Sequence, residues 1–145
     1  MIFLSKNKNI ILGTFHYLIF TLLLYSAVSK IAGYDLFVNN LDKSPFFKGI
    51  NTNLIAVGVI SLEILIPVLF FFNKTTKVAY LLSFFLFFLF TGYIIMMFLF
   101  SPYLPCSCGG LIEKLSWKQH IYFNIVFIIF SAVLYLIEKK DENYS

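Results

Sequence analysis

Charged side chains are scarce in this sequence, and arginine is missing altogether. Only 12% of the 145 residues are charged, and all eleven basic residues are lysines, whereas soluble domains carry about 25% charged residues. Seven acidic residues and eleven lysines cannot cover the surface of a soluble fold of this length, so most of that surface must face lipid. No basic stripe with interleaved aromatic residues is present, which argues against a nucleic-acid partner.

Hydrophobic residues make up 60% of the chain and aromatic residues 20%, and the mean hydropathy is +0.88. Apolar runs of the length that crosses a bilayer predict membrane spans, because a helix needs about 20 residues for the crossing. Alternation with a period of two residues is missing from these runs, so they predict helices and not the strands of a barrel. We therefore expect an all-α, four-transmembrane-helix bundle as a single membrane domain over residues 1–145, with spans at about 10–32, 54–72, 78–100 and 119–137.

The lysines that flank these runs predict the orientation. Lys74 and Lys77 lie in the very short connection between the second and third spans, the kind of loop that counts most in the positive-inside rule. Both termini are then expected in the cytoplasm, with the longer connections at about 33–53 and 101–118 outside it. The first run also has features of a signal peptide, but its length and the lysine that closes it, Lys30, favour a retained span with an interfacial anchor.

The two cysteines of the chain, Cys106 and Cys108, lie in the second outer connection between a proline and two glycines. A disulfide across one intervening residue closes a very small loop, so it removes little entropy from the unfolded chain and is expected to be strained. Strained disulfides are the exchangeable ones, and an oxidising compartment favours them. The pair therefore predicts thiol–disulfide exchange outside the cytoplasmic membrane.

Two other uses of the cysteine pair stay open. Cys106 and Cys108 could simply pack or form a structural disulfide. They could also hold a soft ion such as Cu(I) together with His120 or the methionines at 96 and 97. Consecutive methionines point about 100° apart on a helix, so both cannot face one site, and we assign no metal ligands.

His120 is predicted near the outer start of the fourth span, with Asn124 one turn deeper on the same face. An imidazole beneath the cysteine connection could accept a thiol proton and raise the thiolate fraction. It could equally be an interfacial histidine that hydrogen-bonds the backbone of that connection.

Glu63 is the one acidic residue well inside a predicted span, at a depth of roughly 15 Å. His16 is expected at a similar depth, and Ser26 and Lys30 fall within about 80° of it on a helical wheel. These four residues predict a polar seam that either lines a cofactor cavity, with a quinone as the candidate ligand, or holds helices together. Because no basic residue is evident at the depth of Glu63, we expect its side chain to be protonated and Glu63→Gln to preserve the fold.

Several segments together resemble the MauE branch of the DoxX-like membrane proteins, over about residues 22–131. The segments that carry the resemblance are the run at 23–30, Phe37, Leu41, Ser44-Pro45-Phe46, Leu62-Glu63-Ile64, Pro105-Cys106-Ser107-Cys108-Gly109-Gly110, Ser116-Trp117 and the stretch from His120 to Asn124. The resemblance implies a four-helix protein of the bacterial inner membrane that is associated with redox chemistry. It also implies a link to methylamine utilisation, through maturation of a disulfide-rich dehydrogenase subunit, and thioredoxin-like neighbours.

We therefore expect a membrane component of a thiol–disulfide oxidoreductase, acting on a soluble thioredoxin-like or disulfide-bearing partner through Cys106 and Cys108, with His120 in support. One cysteine pair cannot relay electrons across the bilayer by thiol exchange alone. Either a quinone held near Glu63 and Lys30 takes the electrons, or another protein of a membrane complex does. The alternative is a non-catalytic assembly subunit with a structural cysteine pair, and a transporter ranks third because four short spans would have to oligomerise to form a pathway.

Overall fold

Five α-helices and one short 3-10 helix form the described part of the chain, which is residues 2–72, 74–100 and 117–143 of a computed structural model. No strand occurs in these ranges, so the all-α prediction is confirmed. In chain order the elements are α1 (Ile2–Ala32), α2 (Tyr34–Asp42), the 3-10 helix (Pro45–Phe47), α3 (Thr52–Leu69), α4 (Thr76–Phe100) and α5 (Trp117–Asn143).

Four of these helices are long and apolar enough to cross a membrane, which confirms the predicted number of spans. The stretches that meet this condition are Gly13–Ala32, Thr52–Leu69, Thr76–Phe100 and Lys118–Lys140. Only 22% to 33% of the residues in the most apolar window of each stretch are buried within the bundle. The outward faces are rich in leucine, isoleucine and phenylalanine, as expected of a multi-pass membrane protein that contacts lipid.

The helix ends differ from the predicted ones by several residues. Helices α1 and α5 extend beyond their predicted spans, to Ile2 and to Asn143, because a helix satisfies its own backbone hydrogen bonds and does not have to end where the apolar run ends. Helix α3 ends earlier, at Leu69, where Phe70 donates its amide proton to the carbonyl of Pro67 in a tighter turn. The hydroxyl of Thr75 donates to the Leu69 carbonyl at 2.6 Å and so caps this end of α3.

The connection predicted at 33–53 contains helix α2 and the 3-10 helix, which composition alone did not indicate. Helix α2 packs against α3, and the side chain of Thr52 at the start of α3 donates to Asp42 at the end of α2. Ser44 caps the 3-10 helix by accepting the amide proton of Phe46 at 3.4 Å. Helix α2 therefore covers one end of the bundle, which we call the α2 end: α1 and α4 finish there, and α3 and α5 begin.

The bundle is built from two closely packed pairs, α1 with α3 and α4 with α5. Small residues allow the close approach, because the side chains at 27, 56, 79, 83 and 131 are alanine or serine and fully buried. The hydroxyls of Ser83 and Thr91 donate to carbonyls one turn earlier, at 2.8 and 2.7 Å, which satisfies them inside their own helix. The apolar core comprises Ile19, Leu23, Ile66, Phe70, Ala79, Tyr80, Leu86, Phe87, Phe127 and Leu134.

Candidate functional site

A cavity of about 340 Å³ lies at the α2 end of the bundle. All five helices and the 3-10 helix contribute residues to its walls. Most of the lining is apolar, and its volume falls in the range of small-molecule sites, roughly 300–1,000 Å³. The polar side chains in its walls are those of Ser26, Lys30, Glu63, Tyr93, His120 and Asn124.

A buried ion pair lies in the wall of this cavity. The Nζ atom of Lys30 is 2.8 Å from Oε1 of Glu63, and these side chains are only 7% and 0% exposed. The hydroxyl of Ser26 donates to the same carboxylate oxygen at 2.8 Å, and Lys30 donates to the Ser26 oxygen at 2.6 Å. Three side chains from two helices thus form one closed polar cluster, which is how a charge is retained inside a bundle.

The position of Lys30 corrects two expectations. Its backbone lies at the end of α1, but its side chain runs back along the helix towards Ser26, one turn earlier, which is the direction that helical side chains favour. The prediction of an interfacial lysine is therefore wrong. The premise that no basic residue is available to Glu63 is also wrong. It considered the depth of the Lys30 backbone and not the reach of the Lys30 side chain.

Aromatic rings surround the ammonium group of Lys30. Its Nζ atom lies 5.6 Å from the ring centre of Phe37 in α2 and 5.3 Å from that of Phe90 in α4, both within cation–π range. Of its three donor protons, two are used by Ser26 and Glu63. Lys30 therefore joins α1 to α2, α3 and α4 at the edge of the cavity.

Three polar groups of the cavity walls lack a partner among the residues that the structure describes. Oε2 of Glu63 and Nδ2 of Asn124 are buried and make no hydrogen bond there. The half-buried ring of His120 makes none within the described ranges either. The predicted pair of His120 and Asn124 and the predicted seam residues Lys30 and Glu63 thus meet at one cavity, which offers a carboxylate acceptor, an amide donor and an imidazole.

His16, in contrast, lies away from this cavity. Its Nδ1 atom is 2.8 Å from the hydroxyl of Tyr80, and its ring packs edge-on against Phe70, with the ring centres 4.6 Å apart. Phe70 follows the end of α3, about 10 Å along the axis from Glu63. The predicted similar depth of His16 and Glu63 is therefore wrong, because a helical wheel gives the direction of a side chain but not its height in the bundle.

The structure describes the methionines of the alternative metal site but not the two cysteines. Cys106 and Cys108 lie outside the described residues. The two methionines point apart: Met97 is buried and accepts a hydrogen bond from the Ser44 hydroxyl at 3.4 Å, whereas Met96 is exposed. No group of three or more histidine, cysteine or acidic side chains suited to a metal occurs within the described ranges.

The aromatic walls are the part of the site that the sequence reasoning missed. Phe37 and Leu41 of α2 both line the cavity, although their segment was predicted as a plain connection. Their spacing of four residues, with Asn39 and Asn40 between them, is the signal of a short amphipathic helix that could have revealed α2.

Comparison with known proteins gives one match. The family model described as "Methylamine utilisation protein MauE" matches residues 8–137. That range contains both cysteines and every residue of the cavity wall. The comparisons with curated proteins and with solved structures return no match.

Proposed function

Because the chain belongs to the MauE family of methylamine-utilisation proteins, we propose that it is a membrane-bound thiol–disulfide exchange protein. Its working pair is Cys106 and Cys108, and its partner is a soluble thioredoxin-like or disulfide-bearing protein outside the cytoplasm of a bacterium. The protein would lie in the inner membrane with both termini in the cytoplasm.

The position of His120 is the observation that carries this proposal. The connection that holds both cysteines leads directly into α5, and His120 lies in the first turn of that helix. Its ring lines the cavity and makes no hydrogen bond to another described residue. An imidazole that bonds to no described residue and follows a cysteine segment closely in the sequence is suited to accept a thiol proton, and the resulting thiolate is the species that exchanges.

In the exchange, a thiolate of the reduced partner attacks the disulfide between Cys106 and Cys108. One sulfur of the chain leaves as a thiolate, and the other forms a mixed disulfide with the partner. The partner's second thiolate then attacks that mixed disulfide, so the partner leaves oxidised and the chain keeps two thiols. We assign Cys108 as the cysteine bonded to the partner, because the backbone amides of Gly109 and Gly110, which follow it in the sequence, would stabilise its thiolate when it is released.

Trapping the mixed disulfide tests the proposal. In Cys106→Ser the last step can run in reverse: the Cys108 thiolate attacks the disulfide of an oxidised partner and forms the same mixed disulfide, releasing the partner's second thiolate. N-ethylmaleimide added at lysis alkylates that released thiol, so we expect a covalent adduct from cells that disappears on adding reductant; the double variant Cys106→Ser/Cys108→Ser is the control. If neither Cys106→Ser nor Cys108→Ser forms an adduct and the purified wild-type pair stays oxidised below about −300 mV, the disulfide is structural. The assembly-subunit alternative would then be favoured.

The contribution of His120 has its own signature. We expect His120→Gln to slow adduct formation about 10²-fold near pH 7, the lower end of the range for general acid–base catalysis. The defect should shrink as the pH rises above the ordinary thiol pKa of about 8.5, because solvent then removes the proton. A defect that is equal at every pH would assign His120 a structural role only.

The orientation is tested by labelling. A membrane-impermeant maleimide should modify reduced Cys106 or Cys108 in intact spheroplasts, because the connection at 101–116 is proposed to lie outside the cytoplasm. Labelling that requires lysis would reverse the orientation and place the pair in a reducing compartment, where stable disulfides are rare.

A further inference from the structure

We propose that the cavity at the α2 end binds the head group of a membrane-soluble quinone, which oxidises the Cys106–Cys108 dithiol. The redox step rests on the proposed function, whereas the binding itself does not. Two buried side chains from different helices, Glu63 of α3 and Asn124 of α5, each keep one polar atom without a partner among the described residues. Burying such atoms costs free energy unless a ligand satisfies them.

The unpartnered atoms specify the polar part of the ligand. Nδ2 of Asn124 is a donor and suits a carbonyl oxygen. Lys30 donates two of its three protons to Ser26 and Glu63, and the third suits a second carbonyl oxygen. Oε2 of Glu63 is an acceptor and suits a hydroxyl. A quinone matches these donors and this acceptor. Its oxygens accept hydrogen bonds in the oxidised form, and its hydroxyls donate them in the reduced form, the quinol.

The walls specify the rest of the ligand. Apart from the six polar side chains, the lining is aliphatic or aromatic, and five phenylalanine rings contribute to it: Phe37, Phe47, Phe87, Phe90 and Phe123. Flat rings pack well against such walls. The cavity therefore fits a planar, largely apolar ring with oxygen atoms at its edge.

The depth of the cavity favours a ligand that arrives through the bilayer. Glu63 lies eleven residues after Thr52, which is about 16 Å along the axis of α3 and roughly half of a hydrocarbon layer of about 30 Å. Leu89 lines the cavity and is also 64% exposed on the outside of α4. The cavity thus reaches the lipid-facing surface beside α4, where a quinone dissolved in the membrane could enter.

The electron balance is complete with this ligand. The two thiols of Cys106 and Cys108 lose two electrons and two protons and form a disulfide; the quinone gains them and becomes a quinol. The third ammonium proton of Lys30 would donate a hydrogen bond to a quinone oxygen and so favour its reduction. A chain with a single cysteine pair can in this way restore its own disulfide without a second pair.

Binding is measured on the full chain in lipid nanodiscs, with decylubiquinone and menadione as probes and decylbenzene, which has no oxygen, as the comparison compound. We expect saturable quinone binding, with a dissociation constant about tenfold higher in Asn124→Leu, the factor that one lost hydrogen bond accounts for. Ser131→Ala is the matched control: Ser131 is on the same helix two turns away and its buried hydroxyl also lacks a partner among the described residues, but it does not line the cavity. Val59→Phe should reduce binding by filling the cavity, without altering any polar group.

Every outcome of these binding measurements either supports or refutes the quinone site. Binding that Asn124→Leu and Val59→Phe weaken, and Ser131→Ala leaves unchanged, supports the site. Absence of binding to the wild-type chain, or binding no different from that of decylbenzene, overturns it. Cys106→Ser/Cys108→Ser should bind quinone as the wild type does. If the chain binds quinone but forms no mixed disulfide, the proposed exchange is refuted and the quinone site is supported. If it forms the mixed disulfide but binds no quinone, the exchange is supported and the quinone site is refuted.

Discussion

The polar groups of helix α1 fall into two regions that differ in what surrounds them. His16 bonds to the Tyr80 hydroxyl and packs against Phe70, so its environment is closed. Lys30 and Ser26 bond to Glu63, whose second carboxylate oxygen has no partner among the described residues. That second region borders the cavity at the α2 end, whereas His16 and Tyr80 do not line it.

The comparison separates two uses of polar side chains in a membrane bundle. A group whose hydrogen bonds are completed by a neighbouring helix contributes to helix packing. A buried group that retains an unused donor or acceptor beside a cavity is arranged for a ligand, because leaving it unpaired would otherwise only cost stability. The Lys30–Glu63 cluster does both, since one carboxylate oxygen joins helices and the other borders the cavity.

The largest expected effect comes from breaking the ion pair. Glu63→Gln or Lys30→Met alone should destabilise the bundle by about 3–5 kcal/mol, because the remaining charge is buried without its partner. The double variant Lys30→Met/Glu63→Gln should recover most of the loss. Unfolding of the three variants in mixed detergent micelles measures this, and a Glu63→Gln protein as stable as the wild type would restore the expectation of a protonated Glu63.

Truncation of matched isoleucines gives the next effect. Ile66 of α3 belongs to the apolar core, whereas Ile55 of the same helix lines the cavity. Ile66→Ala should cost about 2–3 kcal/mol of unfolding free energy, since it creates a void in a packed region, and Ile55→Ala less than about 1 kcal/mol. Equal losses in the two variants would mean that the cavity wall is packed as tightly as the core.

The smallest effect is expected at the closed region. Tyr80→Phe removes the partner of His16 and should lower the unfolding free energy by about 1 kcal/mol, the usual value of one hydrogen bond. Quinone binding and adduct formation should be unchanged, because neither residue lines the cavity. A change in quinone affinity in Tyr80→Phe would show that the two regions are coupled.

Parts of the site could be predicted from residue types and spacing. His120 and Asn124 were expected on one face of the last helix, and both line the cavity. Glu63 was identified because a carboxylate so far inside a span is costly to bury without partners. The pairing of Glu63 with Lys30 was missed, since the flexible side chain of lysine can reach towards the bundle or towards the headgroups, and its sequence position is the same in both cases.

The sequence by itself determined that the chain is helical and has four helices long and apolar enough to cross a membrane, because in lipid each apolar run must satisfy its own backbone hydrogen bonds. It also marked which ionisable residues needed a partner. Only the tertiary structure decided the partners: it separated His16 from Glu63, turned Lys30 inwards, and placed α2 over one end to enclose a cavity. These contacts join residues far apart in the chain, and they depend on the relative height and rotation of packed helices, which hydropathy and periodicity do not encode.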